Sequence, residues 1–175
     1  MRAIFFLIDA VAGFFTILFL LRFLMQLTRA SFAGQVGDFV VRLTNWAVKP
    51  LRRVIPGLGG IDWASLVAAL ALQGLLAGLM VVAMTGVAPG GDAVLAILSL
   101  AVRGVLRLAI YVLMGVLILQ AVLSWINPYS PIAPLTNQLT RPLLTPIRRL
   151  LPPLSGIDLS PLVLILLLQV ILIYL

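Results

Sequence analysis

"PLRRVIPGLGGIDWASLV", residues 50–67, returns as "PIRRLLPPLSGIDLSPLV" at residues 146–163. Sliding the chain by 96 residues superposes residues 43–73 on 139–169 without a gap, and 15 of the 31 positions are identical. An aliphatic composition inflates the leucine matches. It does not explain Pro50/Pro146, Arg52/Arg148, Arg53/Arg149, Gly60/Gly156, Asp62/Asp158 or Gln73/Gln169. The chain is a tandem duplication, with a first repeat over residues 1–86 and a second over 87–175.

Each copy of the phrase stands just before an aliphatic run, and composition says what those runs are for. The 175 residues are 63% hydrophobic and 10% charged, with mean hydropathy +1.23. Soluble domains are nearer half apolar and a quarter charged, and a fold of this size has too little interior to hide the excess. Four runs approach the roughly 20 apolar residues that a membrane crossing needs: residues 3–27, 63–85, a third from after Asp92 to near Trp125, and a short fourth over 159–175. The first reads as a retained helix and not a signal peptide, because Asp9 interrupts it and no clear Ala-x-Ala site follows. The third is too long for one crossing, so an interfacial lead-in before Gly104 is expected. The expected fold is all-α: about four transmembrane helices as two parallel helix-loop-helix repeats.

The loops carry most of the charge. Net charge is +7, from 12 basic residues against five acidic ones. Arg29, Arg42, Lys49, Arg52, Arg53, Arg141, Arg148 and Arg149 all fall in the two repeat loops. Two crossings per repeat bring both loops to one side, and the positive-inside rule makes that side cytoplasmic, in a bacterial inner membrane, with both termini outside. Arg103 and Arg107 count the other way. Within the loops, Val36, Phe39, Val40, Leu43 and Ala47 recur at helical spacing, as do Ile132, Leu135, Leu139 and Leu143. Each loop is therefore expected to hold a short interfacial amphipathic helix, stopped by Pro50 or Pro146.

Within the phrase, Asp62 and Asp158 are placed to cap the following helix, and Gly60 and Gly156 to permit the sharp turn into it. A latch from Arg53 to Asp62 and from Arg149 to Asp158 is a compatible second role. The arginine pairs Arg52–Arg53 and Arg148–Arg149 have three readings: simple topology, binding of anionic headgroups, or docking of an acidic membrane or cytoplasmic partner. Topology alone does not require Pro on both sides of the pair at fixed offsets, which favours a docking or lipid surface. Nucleic acid is not expected, because the basic residues cluster at the bilayer.

Deeper in the membrane, Gln73 and Gln169 stand about 16 Å beyond their caps and are expected to face one another across the pseudo-symmetry; a polar pore is the alternative. Arg22 is expected to snorkel, and Asp9 to pair with Arg107. Gly74-x-x-x-Gly78 is a small-residue face for close helix packing, within the chain or in a homo-oligomer. Without His or Cys, and with five scattered Asp, the sequence offers no catalytic constellation, no metal-ligand set and no cofactor site.

These residues carry a resemblance. The motif Leu-Thr-x-x-x-x-x-Pro-x-Arg-Arg-x-x-Pro followed by Gly-Ile-Asp, over residues 43–62 and 139–158, resembles the YggT (YlmG-like) family of small integral membrane proteins. Ser124-Trp125-Ile126, Asn127-Pro128 and Asp158-Leu159-Ser160-Pro161 extend the likeness in the second copy. The first copy departs at Trp63-Ala64-Ser65, so the second is the better candidate for a partner surface. The resemblance implies links to cell-division gene neighbourhoods, osmotic-stress tolerance, nucleoid distribution in plastids and assembly of a b-type cytochrome, and no catalytic residues. A membrane scaffold or assembly factor is the reading that fits best; a channel or transporter subunit for osmotic stress is the other.

Overall fold

The computed structural model describes residues 2–57, 59–86, 90–150 and 158–175. Among them are six helices and no strand: α1 Arg2–Leu27, α2 Gln35–Val54, α3 Trp63–Thr85, α4 Gly91–Ile126, α5 Ala133–Leu150 and α6 Ser160–Tyr174. The protein is an all-α membrane protein. α1, α3 and α4 contain apolar stretches of 25, 23 and 34 residues, long enough to cross a bilayer. α6 is as apolar but has 15 residues, about 22 Å of helix against a hydrocarbon core of about 30 Å. α4 has 36 residues, about 54 Å, and runs unbroken through Gly104; the lead-in expected before that glycine continues the same helix.

α3 packs on α1 and α4, while α4 also supports α5 and α6. Small side chains set the first interface: Ala64, Ala68 and Ala69 of α3 are buried with Phe19 and Leu20 of α1 and Val105 of α4. Such residues let helix backbones approach where lipid offers no hydrophobic drive for association. Gly74 and Gly78 extend the face. A Cβ on either would stand 3.8 Å from Ala101 or Ile97 of α4, so this glycine face meets the first helix of the second repeat. A second core gathers Leu117, Leu144, Leu164 and Leu168 from α4, α5 and α6.

α2 and α5 lie together at one end of the bundle. Met25 and Ala30, where α1 ends, are buried with Leu139 of α5, and the Ser31 N–H donates to Gln138 Oε1 at 3.2 Å. The two basic loops therefore share one end of the molecule.

Both loop helices run through the prolines that were expected to stop them. Pro50 lies inside α2, and Pro142 and Pro146 inside α5. A proline removes one N–H from the helix ladder, and that loss is tolerated where a continuous buried stripe holds the turns on either side. In α2 the stripe includes Val40, Thr44 and Val48, all fully buried. α2 ends only at Val54, where the Ile55 N–H donates to the Leu51 carbonyl at 2.7 Å, immediately before Pro56.

Candidate functional site

The stripe on each loop helix advances four residues at a time, so its members share one face. In α2 it reads Val40, Thr44, Val48 and then Arg52; in α5 it reads Thr136, Thr140, Leu144 and then Arg148. The first three of each are buried. Because the prolines do not end the helices, the same face carries the first arginine of each pair towards the aspartate ten residues on. Arg52 donates through Nε to Asp62 Oδ1 at 3.3 Å and through a terminal nitrogen to Oδ2 at 2.7 Å. Arg148 donates through Nε to Asp158 Oδ2 at 2.8 Å, with a second nitrogen at 2.7 Å. The latch expected from Arg53 and Arg149 is thus made by Arg52 and Arg148. Arg53 and Arg149 stand one residue, about 100°, further round the helix; both are exposed and have no hydrogen-bond or ion-pair partner among the described residues.

The two latches differ in depth. Asp62 is 1% exposed. Besides Arg52, its Oδ2 accepts the Ser65 hydroxyl at 2.7 Å and lies 3.6 Å from Arg22 Nε. Arg22 does not snorkel. It is buried, and it donates to Thr44 Oγ1 at 2.6 Å and Asn45 Oδ1 at 3.1 Å, which ties α1 to α2. Its Nε has no hydrogen-bond partner. Two guanidiniums thus converge on one carboxylate, and Gln26 accepts a further bond from Arg52 at 3.1 Å. Burial pushes the Asp62 carboxyl up, but the bonds from Arg52 and Ser65 and the charges of Arg52 and Arg22 outweigh it, holding the group below its usual range.

In the second copy the Arg148 and Asp158 side chains are 45% and 40% exposed. Burial again works against the Asp158 charge, and bonds from Ser160 and Arg148 reverse the shift, so its carboxyl is also lowered. The place of Arg22 as partner of the buried threonine is taken by a neutral side chain. Gln120 of α4 accepts the Thr140 hydroxyl and donates to Asn137 Oδ1 at 2.6 Å.

The capping roles are also redistributed. Asp62 occupies the N-cap position of α3, but its carboxylate bonds no backbone N–H; the arginines and Ser65 occupy it. Asp158 precedes the N-cap, Leu159, and its Oδ1 accepts the Ser160 N–H at 3.0 Å. Gly59 and Gly60 make the turn into α3 with φ of 66° and 79°, a region that favours glycine. Gly156 lies outside the described residues.

The intramembrane glutamines do not meet. Gln73 is buried and donates to Thr16 Oγ1 of α1 at 3.1 Å, with Gly104 of α4 against its amide. Gln169 is exposed on α6. The reason is the packing order: α3 is sandwiched between α1 and α4, whereas α6 rests on α4 and α5. No ion pair joins Asp9 to Arg107 among the described residues, and both are exposed. Asp9 borders a space it shares with Gln73 and Leu100, about 10 Å along α4 from Arg107. Among the described residues no group of three or more acidic side chains gathers as a metal site. Sequence reasoning missed the roles of Thr44, Thr140, Arg22 and Gln120. The signal was present in the repeat, since Thr44 and Thr140 are identical and sit four and eight residues before the buried aliphatic and the latch arginine.

The chain matches the CCB3/YggT family over residues 1–83 and 99–175. It is 40% identical over 158 residues to an uncharacterized protein of Pseudomonas aeruginosa, across 89% of this chain and 79% of that one. It is 40% identical over 173 residues to the uncharacterized protein YggT of Escherichia coli K12, across 98% and 88%, and 36% identical over 172 residues to an uncharacterized Vibrio alginolyticus protein, across 97% and 91%. No solved structure matches. Both repeats are covered, and the likeness extends along most of each relative, so the chain belongs to the CCB3/YggT family.

Proposed function

We propose that this protein is a non-enzymatic scaffold or assembly factor of the bacterial cytoplasmic membrane. Its two loop helices lie at the cytoplasmic face, both termini lie outside, and Arg53 and Arg149 dock an acidic partner protein or anionic lipid. The observation that carries the reading is the division of labour within each arginine pair. One member is consumed by the aspartate latch, which fixes the loop helix against the following helix, and the other is left exposed, with no side-chain partner among the described residues, at the same end of the bundle. A pair kept for topology alone needs no such fixed geometry. A guanidinium held by a rigid helix offers a planar, bidentate donor to carboxylate or phosphate. A pore lined by both glutamines is less well supported, since Gln73 is engaged by Thr16 and Gln169 lies on the outer surface.

The test is site-specific photo-crosslinking in native membranes, with the probe beside each free arginine at the exposed positions 54 and 150 or, as a control, at the exposed position 103. A companion captured from 54 and 150 and not from 103 supports docking. The same products from all three positions would return the arginines to a topological role.

A further inference from the structure

Away from the latches, a cleft of about 770 Å³ opens between α1, α4 and α5. Its walls include Leu27 of α1, Leu113 of α4 and Leu139 of α5, and three arginines line it: Arg29, Arg141 and Arg149. All three are exposed, none of their guanidiniums has a hydrogen-bond or ion-pair partner among the described residues, and no acidic side chain appears among the described lining. Arg29 is held in an unusual way. Its φ is 54°, a left-handed conformation uncommon outside glycine, in a turn closed by the Ala30 N–H on the Met25 carbonyl at 2.7 Å. Ala30 beside it is buried, which anchors the turn. The site is not duplicated: it takes Arg29 from the first repeat and Arg141 and Arg149 from the second, and Arg141 stands where the first repeat has Asn45.

Three unneutralised cations beside an apolar wall need a ligand with both characters. We propose that this cleft binds an anionic phospholipid, the phosphate between Arg29, Arg141 and Arg149 and an acyl chain along the leucines. The choice of lipid over an acidic peptide follows from the walls. Leu27 closes the membrane-crossing stretch of α1 and Leu113 lies well inside that of α4, so the apolar part of the cleft continues into the bilayer, where a peptide would have to shed its backbone hydration. Basic pockets between membrane helices suit such headgroups. The inference rests on the placement, under Proposed function, of the basic loops at the headgroup boundary; it shares Arg149 with that reading and adds Arg29 and Arg141.

The experiment measures exchange of labelled phosphatidylglycerol onto the purified full chain in mild detergent. The variant Arg29→Gln/Arg141→Gln/Arg149→Gln is compared with Arg42→Gln/Lys49→Gln/Arg103→Gln, which loses the same charge elsewhere. At roughly fivefold per arginine near the membrane surface, the site variant should bind on the order of a hundredfold more weakly, while the control retains wild-type binding. Should the triple variant not fold, Arg141→Gln alone decides, with an expected loss of about fivefold. Equal loss in both triple variants, or no loss in the site variant, overturns the proposal. Competition by free glycerol phosphate as strong as by phosphatidylglycerol also overturns it, because the acyl chain would then contribute nothing. Retained lipid binding with no specific crosslink from position 54 would defeat the docking reading and leave the lipid site standing; the converse result would do the opposite.

Discussion

Replacing Asp62 with Asn separates the two latches sharply. The substitution keeps shape and one acceptor, but it removes the carboxylate that Arg22 faces among the described residues; Arg22 is 5% exposed and its Nε already lacks a hydrogen-bond partner. Arg52, at 42% side-chain exposure, can turn to solvent; Arg22 cannot. Stranding one member of a buried ion pair costs about 3–5 kcal/mol. Asp158→Asn strands nothing, because both its members are more than a third exposed, and a pair of that kind contributes about 0–1 kcal/mol. Adding Arg22→Met to Asp62→Asn removes the stranded charge and should recover most of the loss. Thr44 remains satisfied through its bond to the Val40 carbonyl at 2.6 Å. The assay is reversible unfolding in mixed SDS micelles, followed by tryptophan fluorescence. Trp63 adjoins Asp62, Trp46 packs edge-on against Phe15 at 5.9 Å, and Trp125 borders a space with Arg148 and Asp158, so the three tryptophans report on the two latches. Equal costs for Asp62→Asn and Asp158→Asn, or no recovery in the double variant, would refute the reasoning.

Other perturbations follow from the same geometry. A Cβ at Gly104 would stand 2.6 Å from Gln73 Oε1, so Gly104→Ala should displace that amide and forfeit its bond to Thr16, worth about 0.6–1.7 kcal/mol; in a Gln73→Ala background the same change should be neutral or stabilising, which a double-mutant cycle of unfolding free energies reads directly. Thr44→Val should cost more than Thr140→Val in that assay, by about 1 kcal/mol, because the first removes a bond from a buried guanidinium and the second a bond between neutral groups. In acid, a carboxylate held below its usual pKa contributes stability that is complete above its unfolded value of about 4 and lost as pH falls through the folded value. The unfolding free energy should therefore be level from neutral to mildly acidic pH and drop below about 4, and Asp62→Asn should flatten much of that drop in a pH series of SDS titrations.

The helices and the duplication were legible because hydropathy and repetition are local signals. The spans of α1, α3 and α4, the helical periodicity before Pro50 and Pro146, and the family motifs all follow from neighbouring residues. The latch was misassigned by one position for a local reason as well. Taking Pro50 and Pro146 as helix ends discards the register that carries Thr44 to Val48 to Arg52, and without that register Arg53 is as good a partner as Arg52. The burial of Arg22 and the separation of Gln73 from Gln169 depend on which helices pack together, and a pseudo-symmetric sequence suggests a symmetric packing that α4 does not respect. Gln120 takes up the threonine partnership of Arg22 from a position outside the aligned repeat, so no one-to-one matching of the copies reveals it.

The central claim is that each Arg-Arg pair divides into a latch and a free donor. It is tested most directly by measuring stability and companion binding together on Arg52→Gln and Arg53→Gln, with the 148 and 149 counterparts alongside. The account predicts that Arg52→Gln lowers the unfolding free energy while the folded fraction keeps its crosslinked companion. Arg53→Gln should leave stability unchanged and lose the companion. Identical behaviour of the two variants in both measurements, whether both harmful or both silent, would contradict it.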